Sequence, residues 1–207
     1  MSTTPVLLIG GGGHCRSVID IIESSTHFQV AGIVQPTSDG LASILGYPVR
    51  GDDDALPDLL GQTPCALVTV GQLTSASLRK HLYRKLLDLR AKIPVVVSPH
   101  AHVSRHAQLG LGTVVLHGAL VNAAALVGEN CIINSMALIE HDARIGPHCH
   151  ISTGARLNGS VVVGADCFIG SGAIVHQGVT IGEGCIIGAG CVISRDVAAH
   201  TTMRYNA

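Results

Sequence analysis

Twelve histidines are spread over the 207 residues, and one of them stands between two carboxylates, in Ile139-Glu140-His141-Asp142. A neutral imidazole accepts protons near pH 7, since its ordinary pKa is about 6.5. A neighbouring carboxylate, Asp142 or Glu140 if geometry prefers it, orients such a ring and favours its protonated form. The combination suits removal of a proton from an attacking nucleophile. Asn134, Asn158 and His150 offer further polar groups nearby in the sequence. A second group of residues lies near the N-terminus, where Gly10-Gly11-Gly12-Gly13-His14 follows the apolar run Val6–Ile9. Glycines between a strand and a helix let backbone N–H groups approach a phosphate. Gly12, Gly13 and His14 are therefore candidates for contact with phosphates or a ribose. The plainer alternative is a turn that only packs the helix on its sheet. Gly10-x-Gly12-x-x-Cys15 lacks the last glycine of a dinucleotide fingerprint, and Gln35-Pro36 follows the second strand where a carboxylate would be needed.

What must position His141 is a six-residue period. Every sixth residue from Val97 to Ile193 is Val, Leu or Ile, without a slip. The fifth place of each hexad, from Ala101 to Val197, is small, and the second is often glycine, as in Gly110, Gly128, Gly146, Gly164 and Gly188. A fixed period of this kind signals a repeat architecture. Three short strands make one triangular coil of eighteen residues, so the spacing predicts a parallel β-helix nearly six coils and ~27 Å tall, at ~4.8 Å per rung. The first place points inward. The prism is too narrow for large rings, which accounts for a chain with two phenylalanines, three tyrosines and no tryptophan. Cys131, Cys149, Cys167, Cys185 and Cys191 all occupy the fifth place and read as small apolar fillers. Stacking by eighteen sets Gly159 directly over His141, ~4.8 Å away. An imidazole beside bare backbone is a place for a thioester to lie, with a backbone N–H near Gly159 to receive an oxyanion.

Residues 5–96 alternate differently. Val6–Ile9, Gln29–Val34 and Cys65–Val70 read as strands. Residues 14–24 and 75–90 read as helices, the second with Leu78, Leu82, Leu86 and Leu89 as its apolar stripe. Asp52-Asp53-Asp54 can cap a short helix. The expectation is a mixed chain: a small Rossmann-like α/β domain with a three-stranded parallel sheet over residues 1–96, then the β-helix with a short tail over 97–207.

The formal net charge is −1, with 13 basic and 14 acidic side chains, which argues against a nucleic-acid or anionic-membrane surface. No basic, apolar leader opens the sequence and no apolar run approaches ~20 residues, so a cytoplasmic protein is expected. Seven cysteines without a CxxC pair argue against a disulfide framework or a zinc ribbon.

The repeat resembles that of the hexapeptide-repeat acyltransferases. That resemblance implies a left-handed coil and a homotrimer. The whole chain resembles the sugar N-acetyltransferases of bacterial glycan pathways, the PglD/PerB/NeuD-like family. The matching features are Gly11-Gly12-Gly13-His14 after the first strand, Val70-Gly71 with Arg79 on the third βα unit, and Ile139-Glu140-His141-Asp142. The resemblance implies a first domain that holds a nucleotide-linked amino sugar and a helix that holds acetyl-CoA, with no metal. His141 is then the base and Asp142 its partner. His150 lies near the acetyl group, with Gly159, Asn158 and Gly188 along the co-substrate. Gly71 lies near the nucleobase and Asn134 near the sugar. The implied nucleophile is the 4-amino group of a 4-amino-4,6-dideoxyhexose, attacking directly with no acyl-enzyme. The alternatives are a NeuD-like sugar O-acetyltransferase, a zinc hydratase of the γ-carbonic-anhydrase kind, and a scaffold that only trimerises. Zinc needs three converging ligands; His100, His102 and His106 are candidates but lie at the first coil, and His148 and His150 offer a second pair. The tail from Asp196 to Ala207 lacks the family's usual closing Pro-Gly turn, so no tail contacts carry over.

Overall fold

The computed structural model describes residues 3–36, 40–72 and 75–205. Two-residue strands recur every six residues from Val96–Val97 to Val192–Ile193. They pair in parallel with partners eighteen residues away, as in Leu138 with Arg156 and Ile139 with Leu157. Three sheets result, of seven, six and five strands. They form the walls of a left-handed prism: the first begins at Val96–Val97, the second at His102–Val103, the third at Gln108–Leu109. Val121, Ile139, Leu157, Val175 and their equivalents fill the interior with the small fifth-place residues, including the column Cys131, Cys149, Cys167 and Cys185. Each of these four thiols donates to a backbone carbonyl, as Cys149 does to Gly164 at 3.0 Å. At the corner between the third and first walls the coils touch through glycine. A Cβ on Gly128 would come within 2.6 Å of the Pro147 backbone nitrogen.

The hexad register ends at Ile193. Val197 bridges Ile181, sixteen residues back, and Thr202–Met203 pairs with Ile186–Ile187 on the first wall. The last turn is two residues short, so the tail closes the base of the prism as one more partial coil.

The N-terminal module contains β1 (Thr4–Ile9), α1 (Gly13–Glu23), β2 (Phe28–Val34), β3 (Ser43–Ile44), β4 (Tyr47–Gly51), α2 (Leu56–Gln62), β5 (Ala66–Val68) and α3 (Ser77–Asp88). Asp52 caps a 3-10 turn before α2 by accepting the Asp54 N–H. The sheet has five strands in the order β3-β4-β2-β1-β5, not the three expected. The additional pair is a hairpin turned by Leu45-Gly46, both at positive φ, a two-residue connection that suits strand twist. β3 is only two residues long, and Pro48 and Gly51 break the strand signal of β4 in the sequence.

The apolar face of α3 also departs from expectation. Leu78 is 58 % exposed, and the buried face is Arg79, Leu82, Tyr83 and Leu86. The helix is rotated because it serves two partners. Leu82 and Leu86 pack under the sheet, while Arg79, Lys80 and Tyr83 reach the prism. On the other face of the sheet, Val18, Ile19 and Ile22 of α1 share a core with Val96, Val114, Leu116 and Ile132 of the first wall. The module thus sits on the first wall, from Arg79 at one corner to Asp20, which bonds His117 at 2.8 Å, at the other.

Candidate active site

His141 and Asp142 form the turn between the second and third walls, the corner opposite the N-terminal module. Asp142 has a φ of 61° there. The His141 ring is exposed, and its Nδ1 lies 2.8 Å from Asp142 Oδ2. A carboxylate can only accept, so Nδ1 carries a proton, and in the neutral ring the lone pair is on Nε2. Glu140 is turned away, accepting the Asn122 amide at 2.8 Å and the His141 backbone N–H at 3.3 Å. Asn122 is eighteen residues before Glu140, so the stacking rule could have located this partner, although composition and motif did not. Gly159 lies where expected. A Cβ built on it would be 2.7 Å from both Cε1 and Nε2 of His141. The basic edge of the ring therefore rests over bare backbone, and any side chain at 159 would displace it. Asn158 follows Leu157 on the same corner, one coil below Glu140.

A second group of polar side chains is buried where the module meets the first wall. His150 is 6 % exposed. Its Nδ1 donates to the Gln72 carbonyl at 2.7 Å, and its Nε2 accepts the Asn134 amide at 3.0 Å. Burial, helped by the Arg79 charge, lowers its pKa to about 4 despite the bond to Gln72. His14 is lowered to about 3 by burial first, then by His150 and Arg79. Its Nε2 has no hydrogen-bond partner among the described residues. Gly71 faces His14, with room for a Cβ at 3.6 Å from the His14 Cβ. Arg79 is 1 % exposed. It donates to the Asn130 carbonyl, to the Gln72 side-chain oxygen and, at 2.6 Å, to the His148 carbonyl. Lys80 pairs with Asp166 at 2.6 Å. Neither Gln72 nor Asp166 carries a motif that would have singled it out.

Within the glycine run, roles differ. A Cβ on Gly11 would strike Gln35 and Ile44, whereas Gly12 and Gly13 have open space above them. Gly12 is the N-cap of α1, no side chain caps the helix, and its first turn holds no acidic residue. A helix start without a side-chain cap or carboxylate suits an anion. The structure thus gathers Gly12, Gly13, His14, Gly71, Asn134 and His150 on the module side. It keeps His141, Asp142, Asn158 and Gly159 at the opposite corner. It does not bring Asn134 or His150 to His141 within one chain. Gly188 lies apart from both, donating its N–H to Met203 of the tail strand at 2.8 Å. No group of three or more His, Cys, Asp or Glu side chains converges on a metal position among the described residues.

Residues 5–86 match the PglD N-terminal domain, and residues 124–159 and 160–195 match the bacterial transferase hexapeptide (six repeats). No curated protein matches the sequence. Among solved structures, the acetyltransferase domain of PglB from Neisseria gonorrhoeae is 31% identical, with 99% of this chain and 98% of that chain covered and a TM-score of 0.89. PerB from Caulobacter crescentus, in complex with CoA and GDP-perosamine, is 37% identical, covers 99% and 95%, and also has a TM-score of 0.89. The chain belongs to the PglD/PerB-like family of hexapeptide-repeat sugar N-acetyltransferases. A histidine-to-asparagine variant of the Caulobacter perosamine N-acetyltransferase, 36% identical over 99% of this chain and 95% of that chain at a TM-score of 0.89, is likewise in complex with CoA and GDP-perosamine. As a PglD/PerB-like acetyltransferase the chain needs a place for an acyl donor and a place for a sugar, and its two polar clusters are the candidates. Of the histidines that suggested zinc, His106 accepts from Arg105 at 3.1 Å, His100 packs on the His117 ring, His148 Nδ1 meets the Asn130 amide at 3.0 Å and both ring nitrogens of His150 are engaged.

Proposed function

We propose that this chain transfers the acetyl group of acetyl-CoA to the 4-amino group of a nucleotide-linked 4-amino-4,6-dideoxyhexose, working in the cytoplasm as a homotrimer. The observation that carries this reading is the His141 ring, held by Asp142 and laid over the bare backbone of Gly159. A thioester lying on Gly159 would present its carbonyl carbon beside Nε2. The sugar amine attacks that carbon, Nε2 takes the amine proton, and the tetrahedral oxyanion collapses with cleavage of the C–S bond. The thiolate then receives the proton from the imidazolium and leaves as CoA. Asp142 stabilises the imidazolium while it exists. The donor and sugar that the Caulobacter relative binds support both substrate classes.

Gly12, Gly13 and His14 serve the nucleotide phosphates or ribose in this reading, and Gly71 the base. Asn134 and His150 line the sugar and acetyl end, and Asn158 and Gly188 contribute to the donor's path. The separation of the clusters supports the trimer: a second copy is required to bring one chain's module to another's His141. The outward residues Leu120, Leu138, Ile174 and Val192 of the second wall and Leu126 and Val162 of the third give such a copy an apolar surface, with Val192 58 % exposed. No described helix is long and apolar enough to cross a membrane.

The test is thiol release from acetyl-CoA with a panel of GDP-, UDP- and dTDP-linked 4-amino sugars and their 4-hydroxy counterparts. Turnover confined to the amino sugars is expected. Turnover confined to the hydroxy sugars would replace the reading with O-acetylation, and thiol release with neither would remove it.

A further inference from the structure

At the His141 corner the second place of each hexad is polar: Ser104, Asn122, Glu140, Asn158, His176 and Ser194 stand in one column by the eighteen-residue register. At the corner between the third and first walls the same place is glycine, as in Gly128 and Gly146. Side chains on vertical neighbours start ~4.8 Å apart, so polar ones can bond along the axis. Asn122 and Glu140 do so. The Asn122 Nδ2 donates to Glu140 Oε2 at 2.8 Å. The Asn122 Oδ1 accepts the Ala123 N–H at 2.9 Å, which fixes the orientation of the amide.

The same carboxylate oxygen accepts the His141 backbone N–H at 3.3 Å. Other parts of this turn are held by backbone: the Asp142 N–H donates to the Ala123 carbonyl at 3.1 Å, and the His141 carbonyl accepts the Ser160 N–H at 2.9 Å. The His141 N–H depends on a side chain. Asparagine in second place caps its own turn directly, as Asn122 does and as Asn134 does for Ser135 at 2.8 Å. Glutamate is one methylene longer, so its carboxylate must fold back, at a cost in rotamer freedom. A charge-assisted bond from the coil above offsets that cost and keeps the carboxylate on the turn. The direction of the His141 Cα–Cβ bond, and with it the place of Nε2 over Gly159, follows from how the turn is held.

We propose that Asn122 and Glu140 are positioning residues for His141: Asn122 clamps the Glu140 carboxylate onto the His141 N–H, so that the ring keeps its place over Gly159. This rests on the reading of His141 as the base. The two flanking carboxylates then have separate tasks. Asp142 acts on the ring, at Nδ1. Glu140 acts through the backbone, as an acceptor, and its charge is dispensable.

The experiment compares wild type with Asn122→Asp, Glu140→Ala, Glu140→Gln and the double variant Asn122→Asp/Glu140→Ala. Rates are read with acetyl-CoA and each GDP-, UDP- or dTDP-linked 4-amino sugar that wild type turns over. The NMR signals of the His141 ring, identified by their loss in His141→Asn, are read on the free protein. Asn122→Asp keeps the Ala123 cap but sets an oxygen against Glu140, so it breaks only the vertical bond. It and Glu140→Ala should lower kcat roughly tenfold, with KM values near wild type, and should shift the ring signals. Glu140→Gln keeps an acceptor for both N–H groups and should recover most of the rate lost in Glu140→Ala. The two residues act in series, so the double variant should be no slower than Glu140→Ala. Unmoved ring signals in Asn122→Asp overturn the proposal, as do losses that multiply in the double variant. A Glu140→Gln enzyme as slow as Glu140→Ala overturns it too, because charge would then be the cause. Ring signals that shift while kcat stays at the wild-type value would instead defeat the reading of His141 as the base.

Discussion

His141 and His150 are nine residues apart, and the fold treats them as opposites. His141 is a third-place turn residue on the corner away from the N-terminal module, exposed, with one ring nitrogen tied to Asp142 and the other free over Gly159. His150 is the sixth-place residue of a strand on the first wall, covered by the module, with both nitrogens committed to Gln72 and Asn134. The first keeps one ring edge open over bare backbone. The second is arranged to stay neutral and hold two parts of the molecule in register. A histidine's chemistry in a hexapeptide prism thus depends less on its neighbours in sequence than on its place in the hexad and on what covers its wall.

The comparison is tested most severely at His141. His141→Asn should lower kcat by roughly a hundred- to a thousandfold, with CoA affinity and thermal midpoint unchanged. Steady-state kinetics, calorimetry and melting together decide this, and unaltered turnover would remove the base role. At the other site the expected loss is stability. Arg79→Met strands the carbonyls of Asn130 and His148 and should cost about 3–4 kcal/mol, read as a lower urea midpoint. A midpoint equal to wild type would mean that the seam does not depend on this arginine.

Acid should weaken the seam. His150 titrates at about 4 when folded against about 6.5 when unfolded, so the unfolded chain takes up the proton first. Its neutral, buried state contributes fully above about pH 6.5 and is lost as pH falls towards 4, a change of up to ~3 kcal/mol. His14, at about 3, adds to the loss in the same direction. Urea midpoints measured from pH 7.5 to 4.5 should fall, and less steeply in His150→Gln; parallel slopes would show that His150 does not carry the effect. The smallest effect distinguishes two glycine corners. Gly159→Ala should shift only the His141 ring and cost about tenfold in kcat with little change in melting. Gly128→Ala must move the backbone at Pro147 and should cost stability of ~1–3 kcal/mol. Equal melting losses in the two variants would deny that the His141 ring yields to a Cβ where the Pro147 backbone cannot.

Much of the candidate site was legible because a covalent period controls it. Once Val97 to Ile193 reads in sixes, His141 over Gly159 follows, and so does the column of buried cysteines. The same rule would have found Asn122 over Glu140. The β3–β4 hairpin was not legible, since Ser43–Ile44 is only two residues long and Tyr47–Gly51 is interrupted by Pro48 and ends in glycine. Arg79 at the buried face of α3 was hidden for another reason: an amphipathic count assigns arginine to solvent, and Leu78 in its place satisfied the pattern.

By itself, then, the sequence determined the prism, its vertical neighbours and the exposed imidazole, because stacking depends only on local backbone repeats and on which residues fit inside a coil. Only the tertiary structure decided which wall the N-terminal module covers, and so which histidines lose their solvent and which keep it. That outcome depends on contacts between segments about 50 to 100 residues apart, such as Arg79 with His148 and Asp20 with His117. Their free energy comes from shape and desolvation at a shared surface, for which no local pattern stands in.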